Sequence, residues 1–214
     1  MKAYHGNPQV KRNVLARVRR HRAADEIIKG IYWEQGKGCA VGCTIHGDEH
    51  RKYERELGIP EVLAQVEDRL FESLPKRVAK DWPIQFLANI KAGANLEKVW
   101  PQLALYLLVQ APFALLKGQT PGSVEYDAVE KTARLYAAVA LGVPVAAEDW
   151  TALYEEYSGT PARNFIQVTG QASDYDFRRS RAHLANYAID NMDLSSRQIV
   201  AVSEKLLELL KAAE

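Results

Sequence analysis

The chain has 214 residues, which is enough for one substantial core or for two small domains. Hydrophobic residues make up 47% and charged residues 26%, as in ordinary globular proteins. The 28 basic and 27 acidic residues leave a net charge of +1, which indicates neither a nucleic-acid binder nor a membrane-surface protein. Two cysteines cannot form a disulfide framework, and the N-terminal residues lack the apolar stretch of a signal peptide. We therefore expect a reducing, cytoplasmic environment.

Apolar residues recur at helical spacing through the first part of the chain. A glycine-rich turn over residues 36–42 interrupts this pattern. The pattern predicts helices over about residues 8–32, 48–57, 60–74 and 75–86, with Asn7 and Gly58 as cap residues. No stretch alternates with the period of two that is typical of a half-buried strand.

The uncharged stretch over residues 99–116 approaches the length of a membrane span. Pro101 and Pro112 interrupt it, and two glutamines would need hydrogen-bonding partners in lipid. We therefore predict a buried helix and no membrane association, with Asn95 as a candidate cap.

The second half begins with the loop 118–123, which is the best candidate for an internal domain boundary. Helices are predicted over 124–142 and 148–157, and the polar segment 164–191 is expected to be helical with a break at Gly170. Ser195 and Gln198 form a capping-box pattern before a final amphipathic helix. The prediction is an all-α fold, one compact domain over residues 1–214 with about eight or nine helices.

Residues 36–50 contain both cysteines and two of the five histidines. Thiolates and imidazoles are the ligands that zinc prefers, so a zinc site formed by Cys39, Cys43, His46 and His50 is one interpretation. Residues 39 and 50 would lie about 16 Å apart on a straight helix. Such a site therefore requires that the helix be broken, which the neighbouring glycines allow.

A reactive thiol is the second interpretation. A helix dipole and Lys37 would favour the thiolates of Cys39 and Cys43, and His46 is placed to act as a base. The candidate catalytic groups are then Cys39, Cys43 and His46. Backbone N–H groups around Gly38, together with Lys37, would bind an anion or a small-molecule ligand.

A third interpretation is packing alone. Free cysteine behaves as a small buried hydrophobe, and the small residues of GCAVGC allow two helices to approach closely. We expect a turn that leads into a helix, with Cys39 and Cys43 buried and reduced.

The phrases YWEQGKGCAVGCTIH, MKAYHGNP and YERELGIP resemble those of an uncharacterised family of bacterial and phage-associated hypothetical proteins. The resemblance extends over much of the first half of the chain. It implies no activity, substrate, cofactor or functional residue.

The sequence leaves open whether the protein is an enzyme. A non-enzymatic interaction module would use the basic run over residues 11–22 or the apolar stripe of the last helix, Ile199, Val202, Leu206, Leu209 and Leu210. Its partner would be another protein, a second copy of the chain in a homo-oligomer, or, less favoured, nucleic acid. We expect the stripe to pack on the protein's own core, because it is too short for a stable coiled coil.

Overall fold

The structure, a computed structural model, describes residues 1–160 and 194–214. These residues are mainly helical, and their only strands are two short ones, so the all-α prediction is confirmed. The α-helices of the described residues are α1 (Pro8–Ala23), α2 (Ala40–Ile45), α3 (Lys52–Leu57), α4 (Glu61–Ser73), α5 (Lys76–Ala79), α6 (Trp82–Asn89), α7 (Val99–Leu105), α8 (Val124–Leu141), α9 (Ala147–Glu156) and α10 (Ser196–Ala212). The antiparallel strands β1 (Trp33–Glu34) and β2 (Lys37–Gly38) form a hairpin before α2.

The chain divides into two compact units. One comprises Met1–Glu97 with Ser195–Glu214, and the other comprises Lys98–Leu194. The loop 118–123 lies inside the second unit, so it does not coincide with this division. The expected helix over 164–191 falls outside the described residues, and the single-domain interpretation stays a prediction.

In the first unit α4 contacts α2, α3, α6 and α10. Its buried face includes the predicted apolar residues Val62, Leu63, Val66, Leu70 and Phe71. Helix α10 begins with the predicted capping box, in which the Ser195 side chain accepts from the Gln198 N–H group. The apolar face of α10 packs on α4 and α6, so the stripe is part of this unit's core.

The first helix begins as predicted, because the Asn7 side chain accepts from the N–H group of Gln9 at 2.8 Å. It ends at Ala23 and not near residue 32, so the predicted C-terminal bound is wrong. The reason lies two residues later, where Asp25 adopts a left-handed backbone with φ +58°. Ile27 then leaves the helical path, forms a bridge to Gly38 and is buried as extended chain.

Other bounds differ less. Helix α3 begins at Lys52 instead of residue 48. It ends at Leu57 and is capped by Gly58, whose φ is +61° as expected of a C-cap glycine. The predicted helix over 75–86 is two short helices, α5 and α6.

In the second unit α7 packs on α8 and continues into a π-helix, Tyr106–Gln110. Pro112 follows the end of this helix, whereas Pro101 lies in the first turn of α7, where proline is tolerated. By length and composition, Val99–Gly118 is the one candidate membrane span among the described residues, with 56% of its apolar window buried. Asn95 does not cap α7; its side chain accepts from the N–H group of Glu97.

Candidate functional site

A pair of glycines, Gly38 and Gly42, lets the chain at Tyr32 lie directly against the start of α2. A Cβ atom at Gly42 would stand 1.5 Å from the Tyr32 carbonyl oxygen, and one at Gly38 would stand 2.0 Å from the same atom. The Cys39 N–H group donates to the Ile31 carbonyl oxygen at 2.7 Å. This close approach fixes Tyr32 and Trp33, which follow each other in sequence, beside the first turn of α2. The packing interpretation is therefore confirmed in part, although the partner of the small residues is a loop and not a second helix.

Both cysteines are free and buried, as predicted, with exposed fractions of 2% for Cys39 and 0% for Cys43. Cys39 is the N-cap of α2, and its sulfur accepts from the Gly42 N–H group at 3.4 Å. The Cys43 thiol donates to the Gly38 carbonyl oxygen at 3.3 Å. Burial raises the pKa of the Cys43 thiol to about 12 and also raises the pKa of Cys39, to which nearby Asp68 contributes. This direction is opposite to the expected lowering, because loss of water outweighs the dipole of so short a helix.

We expect slow alkylation of both thiols. In the native protein, iodoacetamide should modify Cys39 and Cys43 at least about a hundredfold more slowly than it modifies the urea-unfolded chain, because only thiolates react and both groups are buried and protonated. Mass spectrometry of timed samples measures the two rates. Native rates equal to that of free cysteine would contradict the assignment of both residues to the core.

Beside α2, three side chains form a continuous hydrogen-bonded row, which we call the imidazole relay: Glu26, His21 and His46. His21 Nδ1 lies 2.7 Å from Glu26 Oε2, and its Nε2 lies 2.9 Å from His46 Nε2. The Trp33 ring stacks on the His46 ring, with centroids 4.4 Å apart and an angle of 15° between the planes. Trp33 also meets the His21 ring edge-on at 5.3 Å. One tryptophan therefore positions both imidazoles.

The partners of the relay determine its protonation state. An ionised carboxylate only accepts hydrogen bonds, so His21 Nδ1 carries the proton that bonds Glu26. In neutral His21 the other nitrogen, Nε2, is then an acceptor, and His46 Nε2 donates to it. His46 Nδ1 is left as an unprotonated nitrogen on an exposed residue, and it has no hydrogen-bond partner among the residues that the structure describes.

Neighbouring groups keep His46 neutral. Its pKa lies below the ordinary value because Trp33 and the local packing remove water from the ring, and because Arg17 and Arg20 add positive charge, as His21 does whenever it is protonated. The backbone at His46 is left-handed, with φ +52°, so this residue stands where a helix often has a C-cap glycine. Asparagine, aspartate and histidine adopt this conformation more often than other non-glycine residues.

A second polar cluster lies near Tyr32. His50 Nε2 is 3.3 Å from Asp68 Oδ2, and the Tyr32 ring meets His50 edge-on at 5.7 Å. Burial, helped by the Asp68 charge, raises the pKa of the Tyr32 hydroxyl to about 12. The residue before Asp68, Glu67, is fully buried and accepts from the Tyr53 hydroxyl at 2.6 Å.

The structure separates the four predicted zinc ligands among different partners. His46 bonds His21, His50 bonds Asp68, and the thiols bond backbone groups around α2. Within residues 1–160 and 194–214, no group of three or more histidine, cysteine, aspartate or glutamate side chains is arranged to hold a metal ion. Helix α2 ends at His46, as a compact site would require, and Asp68 is near both His50 and Cys39, but these side chains do not form such a group.

The predicted anion site at Lys37 and Gly38 also differs in the structure. The Gly38 N–H group donates to the Glu26 carbonyl oxygen at 3.0 Å, so it is not open to a ligand. Lys37 is exposed, and its charge helps to lower the pKa of Asp25.

Sequence reasoning missed His21, Glu26 and Trp33 as site residues. The spacing of four between His21 and Asp25 is that of neighbours on one helix face, but Asp25 lies beyond the end of α1 and pairs with Lys80 instead. The pairing of His21 with Glu26 depends on that helix end, and no local signal placed it there.

No protein-family model, curated protein or solved structure matches the chain. The site is therefore interpreted from its geometry.

Proposed function

We propose that this protein is an acid–base catalyst that transfers a proton between a small-molecule ligand and His46, with His21 and Glu26 as positioning residues. The observation that carries the proposal is the unbroken row of contacts, 2.7 Å from Glu26 to His21 and 2.9 Å from His21 to His46. A base held by a second group, which a third group orients, is the arrangement that general-base catalysis requires.

The transfer balances at each atom. The proton leaves the ligand and forms a new N–H bond at His46 Nδ1, while the bonding electron pair stays on the ligand. The His46 Nε2 proton then moves to His21 Nε2, so that His46 is neutral again and His21 carries the positive charge. The Glu26 carboxylate, already hydrogen-bonded to His21, stabilises that charge. The reverse sequence delivers a proton to a ligand.

The surroundings of His46 suit the role of a base near neutral pH. Its lowered pKa keeps the ring unprotonated, and the stacked Trp33 holds the ring in one orientation. A nucleophilic thiol at Cys39 or Cys43 has less support, because both sulfurs are buried and their pKa values are raised. Zinc binding, homo-oligomer formation and a cytoplasmic location stay predictions.

The relay can be tested by following the imidazole carbon-bound protons of His21 and His46 with NMR as the pH is lowered. We expect both rings to report one shared protonation, because two N–H groups cannot face each other at 2.9 Å. Glu26→Gln should lower the shared midpoint by about 0.5 to 1 pH unit, since the partly exposed carboxylate no longer stabilises the cation.

Glu34→Gln is the matched control. Glu34 is an exposed residue beside Trp33 in sequence, and its carboxylate makes no hydrogen bond or ion pair with another described residue, so its removal should leave the midpoint nearly unchanged. Two independent midpoints, or equal shifts in the two variants, would rule out a relay organised by Glu26.

A further inference from the structure

The basic residues of α1 are not equivalent. Arg17 donates from Nη1 to the Thr44 carbonyl oxygen at 2.7 Å, Arg22 pairs with Asp81 at 2.6 Å, and Arg12 bonds the side chain of Gln9. The Arg20 side chain is exposed and makes no hydrogen bond or ion pair with any residue that the structure describes. It is therefore a cation that no side chain of residues 1–160 or 194–214 neutralises by direct contact.

Arg20 also lies next to the relay. Arg17, Arg20 and His21 occupy positions i, i+3 and i+4 of α1, so they share one face of the helix. Both arginines are close enough to His46 to lower its pKa, and no carboxylate is among the groups that shift it. The exposed base of the relay thus lies in a positively charged environment.

Without Arg17, the C-terminal end of α2 would repel an anion bound beside His46. Its last carbonyl groups carry partial negative charge and point away from the helix near His46. The guanidinium of Arg17 covers one of them, the Thr44 carbonyl, and so removes part of this repulsion. Arg17 is thereby occupied, whereas Arg20 is free to bind a ligand.

We infer that the ligand of the relay is a small anion whose phosphate or carboxylate group binds Arg20 beside His46. The inference rests on the proposed function, because only a working relay makes this anion a substrate. The same placement favours the reaction, since negative charge that develops on the ligand as its proton moves to His46 forms next to a fixed cation.

Inorganic phosphate and acetate are the probes, each titrated at constant neutral pH and low salt. Binding is followed through the NMR signals of the Trp33 indole and the His46 ring. We expect saturable shifts with a dissociation constant of about 1–10 mM for the preferred ion, as for one ion pair with a hydrogen bond. The ion that binds more tightly identifies the oxyanion group.

Arg20→Gln should weaken this binding by about threefold or more, because it removes the cation but keeps a polar side chain of similar length. Arg19→Gln is the matched control, since Arg19 is also exposed on α1 but is not among the groups that act on His46. Arg19→Gln should leave the dissociation constant unchanged.

Shifts that do not saturate, or equal weakening in the two variants, would overturn the inference and would show only general attraction to a basic surface. The outcome is separable from the proposed function, because Glu26→Gln weakens the relay by removing the charge of Glu26 while leaving Arg20 in place. Phosphate or acetate that binds equally well to Glu26→Gln supports the anion site, whatever the protonation measurements show.

Discussion

Gly42→Ala should destabilise the protein by about 3 kcal/mol or more. The added Cβ would stand 1.5 Å from the Tyr32 carbonyl oxygen and 2.6 Å from the carbonyl carbon. Both are backbone atoms, so no side-chain rotation can relieve the overlap, and the loop that carries Tyr32 and Trp33 must move. The free energy of unfolding from urea titration measures the loss.

Gly47→Ala is the matched control, because Gly47 lies just beyond the same helix. Its Cβ would meet only Lys52 Nζ at 3.1 Å, the end of a flexible side chain. We expect a change within about 1 kcal/mol. Similar losses for the two variants would contradict the close approach at Gly42.

Glu67→Gln should remove a large part of the pH dependence of stability. Glu67 is fully buried, its Oε1 atom has no hydrogen-bond partner among the described residues, and the charge of Asp68 lies beside it. Burial therefore raises the pKa of its carboxyl well above the ordinary value, although the Tyr53 hydroxyl opposes the shift. Tyr4, whose own pKa is raised by burial and by Glu67, is a further neighbour.

The sign follows from the raised pKa. Above the pH at which the unfolded chain loses this proton, near 4.3, the folded protein still holds it. The folded state then binds more protons than the unfolded state, so stability falls by about 1.4 kcal/mol per pH unit until Glu67 itself ionises. The stability that Glu67 contributes is thus fully present below about pH 4.3 and is lost as the pH rises towards the pKa of the folded protein's carboxyl.

Urea unfolding between pH 5 and 7 tests this expectation. The stability of Glu67→Gln relative to the natural protein should increase with pH, with a slope approaching about 1.4 kcal/mol per unit. Glu204→Gln, which removes an exposed carboxylate on α10, should show no such slope. A constant difference for Glu67→Gln would mean that the buried carboxyl is ionised throughout.

Local signals in the sequence predicted several helix ends correctly. The start of α1 is capped by Asn7, and the ends of α3 and α8 are capped by Gly58 and Gly142. These positions could be predicted because capping depends on residues within one turn, and the capping box of α10 was predicted for the same reason. The apolar stripe of α4 is likewise a property of one segment, which helical periodicity reports directly.

The candidate site depends on contacts that no local signal contains. Apolar spacing extended α1 through Ile27, and only the left-handed backbone at Asp25 ends the helix and lets Glu26 face His21. His21 and His46 lie 25 positions apart, so their contact arises from the packing of α1 against α2. The small residues correctly predicted a close approach and buried thiols, but they could not identify the Tyr32 backbone as the partner.

The most direct test of the relay is the protonation of its four ring nitrogens, measured by nitrogen NMR on protein with labelled histidine at neutral pH. We expect protons on His21 Nδ1 and His46 Nε2, no proton on His46 Nδ1, and a scalar coupling between the two Nε2 atoms across their hydrogen bond. His46→Asn, which tolerates the left-handed backbone, should abolish the coupling while the protein stays folded. If both rings instead average between their two tautomers and show no coupling, the hydrogen-bonded row of Glu26, His21 and His46 does not exist in solution.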